Sequence, residues 1–132
     1  EAARYWLWHH AAAVPGHLQE ATREGVRETT LSLAFPLHAE PGPLQQPNVY
    51  AFLPMELTMP FPFITSADFV VGASRERLQL DAGWNQWLLR ECLPGAFLEA
   101  FLCLLQEGLT GDGFAAYRYV PTAPCADELW AS

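Results

Sequence analysis

Apolar residues alternate with smaller or polar residues in the stretch 29–37, where Leu31, Leu33 and Phe35 occupy every second position. A period of two is the pattern of a strand that buries one face. Residues 29–37 are therefore predicted to form a half-buried strand. Pro36 lies close to its end, where a missing backbone N–H matters least.

Three further stretches are predicted as strands. Residues 4–14 combine aromatics, which favour a strand, with an alanine run that favours a helix, and the strand is the prediction. Residues 48–57 read as a strand that Pro54 interrupts, which indicates a sheet edge or a bulge. Residues 63–71 alternate again, and Gly72 then allows the backbone to turn.

Apolar residues recur at helical spacing through residues 84–106, which are predicted to be helical. Asp81 is the expected N-cap, and Gly108 is the expected stop. Pro94 is expected to kink this helical region or to begin a second helix. Strands followed by a helix predict an α+β fold, in which a small mixed or antiparallel sheet packs against a long C-terminal helical region. Residues 1–132 are expected to form a single domain.

The composition is that of a folded acidic protein. Hydrophobic residues make up 51% of the 132 residues and charged residues only 17%, which is the reverse of a disordered chain. The net charge of −8 repels nucleic-acid phosphates, so nucleic acid is not expected as a partner. A membrane is not expected either, because no apolar run approaches the roughly 20 residues that a spanning helix needs.

Cysteine usage indicates a reducing compartment. The three cysteines, Cys92, Cys103 and Cys125, are odd in number and form no CxxC pair. Buried reduced thiols in a cytoplasmic or nuclear protein are the expectation. The start at Glu1, without Met or a signal-peptide pattern, suggests a segment of a longer polypeptide.

Motifs of free-standing enzymes are missing from the sequence. Neither a phosphate-binding glycine loop nor a nucleophile elbow occurs. His9, His10 and His17 were considered as metal ligands, but adjacent histidines in a strand point to opposite faces. Neither catalysis by this chain alone nor a metal or other cofactor bound within it is expected.

The polar cluster Ser74-Arg75-Glu76 follows the predicted strand 63–71 and precedes the predicted helical region. A rigid scaffold can aim a side chain outward from such a loop. The plainer interpretation is a solvated turn in which Ser74 or Glu76 caps the helix.

A series of short motifs in the middle of the chain resembles sacsin-like proteins, which carry a GHKL-type ATPase domain. The resemblance covers about residues 25–121. In chain order, the motifs are Ala51-Phe52-Leu53-Pro54, Phe61-Pro62-Phe63, Ala67-Asp68-Phe69, Ser74-Arg75-Glu76, Trp84-Asn85 and the YRYVP segment at 117–121.

The resemblance implies a role in an ATPase. The polar cluster followed by a helix is similar to the start of the middle domain of heat-shock chaperones. There, the corresponding arginine contacts the ATP γ-phosphate held by a neighbouring domain, and that role would fall on Arg75. The residues that would support the motif are Ser74, Glu76, Asp68, Trp84 and Asn85.

The sequence departs from this family because the nucleotide-pocket motifs do not occur in the 132 residues. Thr65 and Ser66 also stand where relatives often have His and Asn. ATP and Mg²⁺ would therefore be bound by an adjacent domain of the same longer protein. The functional expectation is a non-catalytic middle segment that couples the ATP state of that domain to chaperone or scaffold activity on client proteins. The alternative is a protein-interaction or structural module with no link to nucleotide.

Overall fold

One mixed β-sheet and a C-terminal helical segment make up the computed structural model, which describes residues 5–18, 20–37, 48–57, 59–73 and 77–107. The strand order across the sheet is β1-β2-β5-β3-β4. The β3 and β5 strands run parallel, and the other neighbours run antiparallel. The predicted α+β class with a mixed sheet is confirmed. The strands are β1 (Tyr5–Ala13), β2 (Glu28–Pro36), β3 (Val49–Ala51), β4 (Leu53–Pro54) and β5 (Ile64–Ser66).

The longest pairing joins β1 to β2 along nine residues of each strand. Leu31, Leu33 and Phe35 are fully buried on one face of β2, as the alternation in the sequence predicts. The connection between the strands contains a single 3₁₀ turn, Ala21–Arg23. Gly25 follows with a φ of 83°, a left-handed conformation that glycine adopts without steric cost.

Residues 48–57 form two short strands rather than one interrupted strand. The chain reverses at Phe52, so that Ala51 pairs with Leu53 across a tight hairpin. Phe52 has a φ of 70°, which is unusual for a bulky residue. Pro54 lies in β4 at the edge of the sheet, where its missing N–H removes no ladder bond, and its edge position is confirmed.

The strand predicted over residues 63–71 is much shorter in the structure, because β5 spans only Ile64–Ser66. Beyond it, side chains from elsewhere take up the main-chain groups. The carbonyl of Asp68 accepts a bond from the Trp84 indole, and the N–H of Val70 donates to Asn85. These contacts draw the chain away from the ladder while its backbone groups stay satisfied.

Helical structure runs through α1 (Gly83–Trp87), a π-helical turn (Leu88–Cys92) and α2 (Leu93–Glu107). The expected N-cap at Asp81 is wrong, because Ala82 occupies the N-cap and provides no side-chain bond. Pro94 lies in the first turn of α2, and the π turn directly precedes it. A wider turn reduces the clash between a proline ring and the preceding turn of helix. Among the described helices, none has both the length and the apolar character needed to cross a bilayer.

The core lies between α2 and the inner face of the sheet. Phe63 stacks on Phe97 of α2 with ring centroids 5.4 Å apart, and it also contacts Phe35 of β2 at 5.3 Å. Ala96 and Ala100 are fully buried, and their small side chains let the helix approach the sheet closely. The helix α2 packs on one face of the sheet, and on the other face, here called the open face, every second residue of β1 is exposed.

Candidate functional site

Three of the predicted site residues come together beneath the connection between β1 and β2. Asp68 follows β5, while Trp84 and Asn85 belong to α1. Residues 74–76 lie outside the described residues, so the structure does not test the predicted role of Arg75. The site that can be examined is therefore built around Asp68, Trp84 and Asn85.

Arg23 completes this group and binds Asp68 through a fork of two contacts. Its Nε lies 2.7 Å from Oδ2 of Asp68, and its Nη2 donates to Oδ1 at 2.9 Å. The remaining donors reach the carbonyl of Phe69 at 3.3 Å and the hydroxyl of Thr22 at 2.9 Å. The Nε contact is an ion pair without hydrogen-bond geometry, whereas both terminal nitrogens of the guanidinium donate hydrogen bonds. Because its charge is paired with Asp68, Arg23 links two parts of the fold.

Trp84 contacts both Asp68 and Arg23. Its buried indole donates a hydrogen bond of 2.8 Å to the carbonyl of Asp68. The guanidinium carbon of Arg23 lies 5.8 Å from the indole centroid, within the range of a cation–π contact. The Arg23 cluster, meaning Arg23, Asp68, Trp84 and Asn85, thus ties the β1–β2 connection to α1 and to the segment after β5.

Sequence reasoning missed Arg23, although it named the other members of the cluster. Arg23 and Asp68 are 45 residues apart in the chain. The region around Arg23 has neither strand alternation nor an extended helical pattern. No local signal therefore distinguishes Arg23 from the other six arginines.

Asn85 is fully buried and makes three hydrogen bonds to main-chain groups. Its amide oxygen accepts from the N–H of Val70 at 2.8 Å, and its amide nitrogen donates to the carbonyls of Val70 at 2.7 Å and Gln79 at 2.9 Å. The N–H of Gly72 also bonds the carbonyl of Arg77 at 2.8 Å. Asn85 therefore binds the chain on both sides of residues 74–76, at Val70 before them and at Gln79 after them.

A cavity of about 530 Å³ opens beside the Arg23 cluster. Its described lining contains no nucleophilic hydroxyl, thiol or imidazole, and the charge of Arg23 is already paired with Asp68. This arrangement provides neither an activated nucleophile nor a phosphate cradle. Besides Arg23 and Trp84, the main lining residues are Val14, Leu18, Glu20, Glu24, Val26 and Arg27.

The two histidines of β1 point to opposite faces of the sheet, as the period of a strand requires. On the open face, Nδ1 of His9 lies 2.7 Å from the hydroxyl of Ser32. On the helix-facing side, Nδ1 of His10 lies 2.8 Å from Glu99 of α2. Within the described residues, no group of three His, Cys, Asp or Glu side chains could share a metal ion.

The β3–β4 hairpin carries the most exposed apolar side chains of the described protein. Phe52 is 91% exposed and Leu53 is 67% exposed. We call these two residues the Phe52 tip. Phe52 also has its positive φ of 70°, so a bulky residue occupies a position that favours glycine. An exposed, strained aromatic residue at a hairpin tip is an arrangement that neither core packing nor turn preference explains.

Cys92 is buried, as predicted, whereas Cys103 is half-buried and Cys125 lies outside the described residues. Burial, and secondarily the negative charge of Glu91, raises the pKa of the Cys92 thiol to about 11. Only the thiolate is nucleophilic, so the thiol is chemically quiet at neutral pH.

We therefore expect iodoacetamide at pH 9 to modify Cys92 roughly tenfold or more slowly in the folded chain than in urea, as measured by mass spectrometry of peptides. Because the pKa is higher in the folded state, the thiol contributes stability below pH 9. That contribution is lost as the pH rises from about 9 to about 11. Equal modification rates of Cys92 in the folded and unfolded chain would contradict the prediction.

The chain is similar to Protein NO VEIN of Arabidopsis thaliana, with 36% identity over 115 residues. The match takes in 81% of this chain but 4% of that protein, so the chain spans a small fraction of its relative. No protein-family model matches the chain. No solved structure matches it significantly.

The assignment to sacsin-like proteins and GHKL ATPases, made from the sequence motifs, is wrong. The match found is to Protein NO VEIN, and nothing in the comparisons indicates sacsin or a GHKL ATPase. Of the short motifs behind the resemblance, Ser74-Arg75-Glu76 and the segment 117–121 lie outside the described residues. Phe52 forms a hairpin tip, while Asp68, Trp84 and Asn85 hold main-chain groups. The ATP-coupling role and the likeness to a chaperone middle domain depended on that resemblance and are not carried forward.

Proposed function

We propose that this chain is a non-catalytic protein-interaction module with no link to nucleotide. The observation that carries the proposal is the Phe52 tip, where two large apolar side chains project into solvent from the edge hairpin of the sheet. Contiguous exposed apolar side chains on a folded protein mark sites where another surface docks.

The energetics of the Phe52 tip favour docking. Burying an exposed Phe or Leu side chain contributes roughly 1.5–3 kcal/mol each, so the two together could contribute as much as an interface hot spot. A bulky residue in the left-handed region costs on the order of 1–3 kcal/mol, and the Phe52 side chain, being 91% exposed, recovers little of this cost by burial. Docking into a pocket would offset this cost.

The partner that fits is a protein surface with an apolar pocket and a basic border. The apolar pocket would receive Phe52 and Leu53, and the basic border would complement the net charge of −8. Since the relative is far longer than this chain, such a surface could belong to another domain of the same polypeptide. The proposal places the module in a reducing compartment, the cytoplasm or nucleus, which the buried thiol of Cys92 supports.

Site-specific crosslinking tests the proposal. We expect a photoreactive phenylalanine analogue at position 52 of the full-length protein to form one dominant protein adduct, which mass spectrometry maps to an apolar pocket. The matched control places the analogue at Leu102, which is 49% exposed on α2 and lies away from the hairpin. Adducts at position 52 that are no more frequent or specific than those at position 102 would refute the proposal.

A further inference from the structure

The two edges of the sheet are built very differently. At one edge, β4 has only two residues and contains Pro54, and both features discourage pairing with another chain. At the other edge, β1 spans nine residues, Tyr5–Ala13, without Pro or any Asp, Glu, Lys or Arg. Among the described residues, no strand pairs with the outer side of β1. A long, uncharged edge of this kind is a template for a further strand.

Hydrogen bonds elsewhere in the sheet show which backbone groups point outward from this edge. The N–H of Val14 donates to the carbonyl of Arg27, so the even-numbered positions of β1 face β2. The bonds of β5 agree with this alternation. Thr65 lies opposite Leu33 of β2, but its N–H donates to Asn48 on the other side, so the backbone groups of Leu33 are directed to β1. The backbone groups of Leu7, His9 and Ala11 therefore point away from the sheet.

We infer that β1 pairs antiparallel with β1 of a second copy of this chain, about a two-fold axis at His9. The hydrogen-bonded pairs then consist only of residues whose backbone groups point outward, because His9 meets His9 and Leu7 meets Ala11. These three positions alone would form about six hydrogen bonds across the axis. The pairing depends on the β1 edge and not on the Phe52 tip, which lies at the opposite end of the sheet order.

The side chains of β1 are complementary in size under this two-fold axis. The first half of the strand is bulky and the last three residues are alanine. The axis therefore places Trp6 opposite Ala12 and Leu7 opposite Ala11, so that large side chains meet small ones on both faces. Cross-strand pairs of this kind determine the stability and register of a sheet.

Backbone substitution at His9 tests the pairing. His9→Pro removes the N–H at the two-fold axis but no backbone bond to β2, so it should abolish dimers in sedimentation equilibrium while the circular-dichroism spectrum persists. The side-chain contact between His9 and Ser32 of β2 is lost in both His9→Pro and His9→Ala. His9→Ala is the matched control, because it removes the same side chain and keeps the N–H, and it should remain dimeric like the native chain. Because each copy carries a charge of −8, added salt should strengthen the dimer.

Amide hydrogen exchange of the unmodified chain decides the question even if His9→Pro does not fold. We expect the amides of Leu7, His9 and Ala11 to be protected, and their protection to fall on dilution while that of Trp8 and His10 persists. A monomeric native chain with fast exchange at the three outward amides would overturn the inference. A His9→Pro variant that dimerises like the native chain would overturn it as well.

Discussion

Replacing Asn85 by Ala should lower the free energy of unfolding by about 4 kcal/mol, measured from urea denaturation. The variant leaves the N–H of Val70 without its acceptor. The carbonyls of Val70 and Gln79 each lose one of two donors, because the backbone N–H groups of Gln79 and Ala82 still donate to them. Each unsatisfied buried group costs about 1–3 kcal/mol, and a cavity adds to this loss. Such a change is a large part of the roughly 5–15 kcal/mol that stabilises a domain.

Gln86 provides the control for this prediction, because it is the next residue and makes one side-chain bond, to the carbonyl of Leu80 at 3.0 Å. Gln86→Ala should cost no more than about 1 kcal/mol, since that contact is exposed. Asn85→Asp should also destabilise the fold, because it keeps the acceptor for Val70 but turns a carboxylate toward two carbonyls. Similar midpoints for Asn85→Ala and Gln86→Ala would mean that the bonds from Asn85 to the main chain contribute little.

Trp84→Ala should lower the free energy of unfolding by about 4 kcal/mol, because it removes the largest fully buried side chain of the described protein. The substitution also removes the donor to the Asp68 carbonyl and the ring beneath Arg23. Thermal denaturation followed by circular dichroism measures this loss, which is expected as a melting temperature lower by well over ten degrees.

Trp84→Phe separates the two contributions, since it keeps most of the apolar volume and removes only the indole N–H. We expect it to cost about 1–2 kcal/mol, which corresponds to losing the indole bond to the Asp68 carbonyl, whose other donor is Nη2 of Arg23 at 3.4 Å. If Trp84→Phe proved as destabilising as Trp84→Ala, the hydrogen bond rather than the packing would dominate, contrary to this interpretation.

Asn85 and Trp84 are adjacent residues of α1, and both attach other segments of the chain to this helix. Asn85 holds the segment after β5, and Trp84 holds Arg23 in the β1–β2 connection. Among the motif residues that the structure describes, Asp68, Trp84 and Asn85 make contacts that stabilise the fold. The surfaces proposed for binding, the Phe52 tip and the β1 edge, lie on the sheet and leave these contacts untouched.

The resemblance to an ATPase family failed for a physical reason. Short motifs such as Ala67-Asp68-Phe69 and Trp84-Asn85 contain the residue types that pack cores and bind main-chain groups in many folds. Their presence in order along the chain did not require a nucleotide site. What the structure shows them doing, the Arg23–Asp68 pair and the bonds from Asn85 to the main chain, is consistent with a role in stability alone.

The sequence by itself determined the features that depend on local periodicity. The alternation in β2 predicted its buried face, because side chains of a strand must point alternately to the two sides. The same reasoning placed a strand at β1 and helical structure after Asp81, and together they indicated an α+β fold. The acidic charge is likewise a property of the sequence alone.

Tertiary structure decided what depends on contacts between distant residues. The extent of β5 was limited by side chains of α1, which take main-chain groups that a longer strand would have placed in the ladder. Arg23 contacts Asp68, which is 45 residues away in the chain. The reversal at Phe52 uses a positive φ, which the sequence does not predict for a bulky residue. Local sequence patterns predict which residues are buried and which element they form. The length of β5 and the contacts of Arg23 depend instead on residues that are distant in the chain and compete for the same hydrogen bonds.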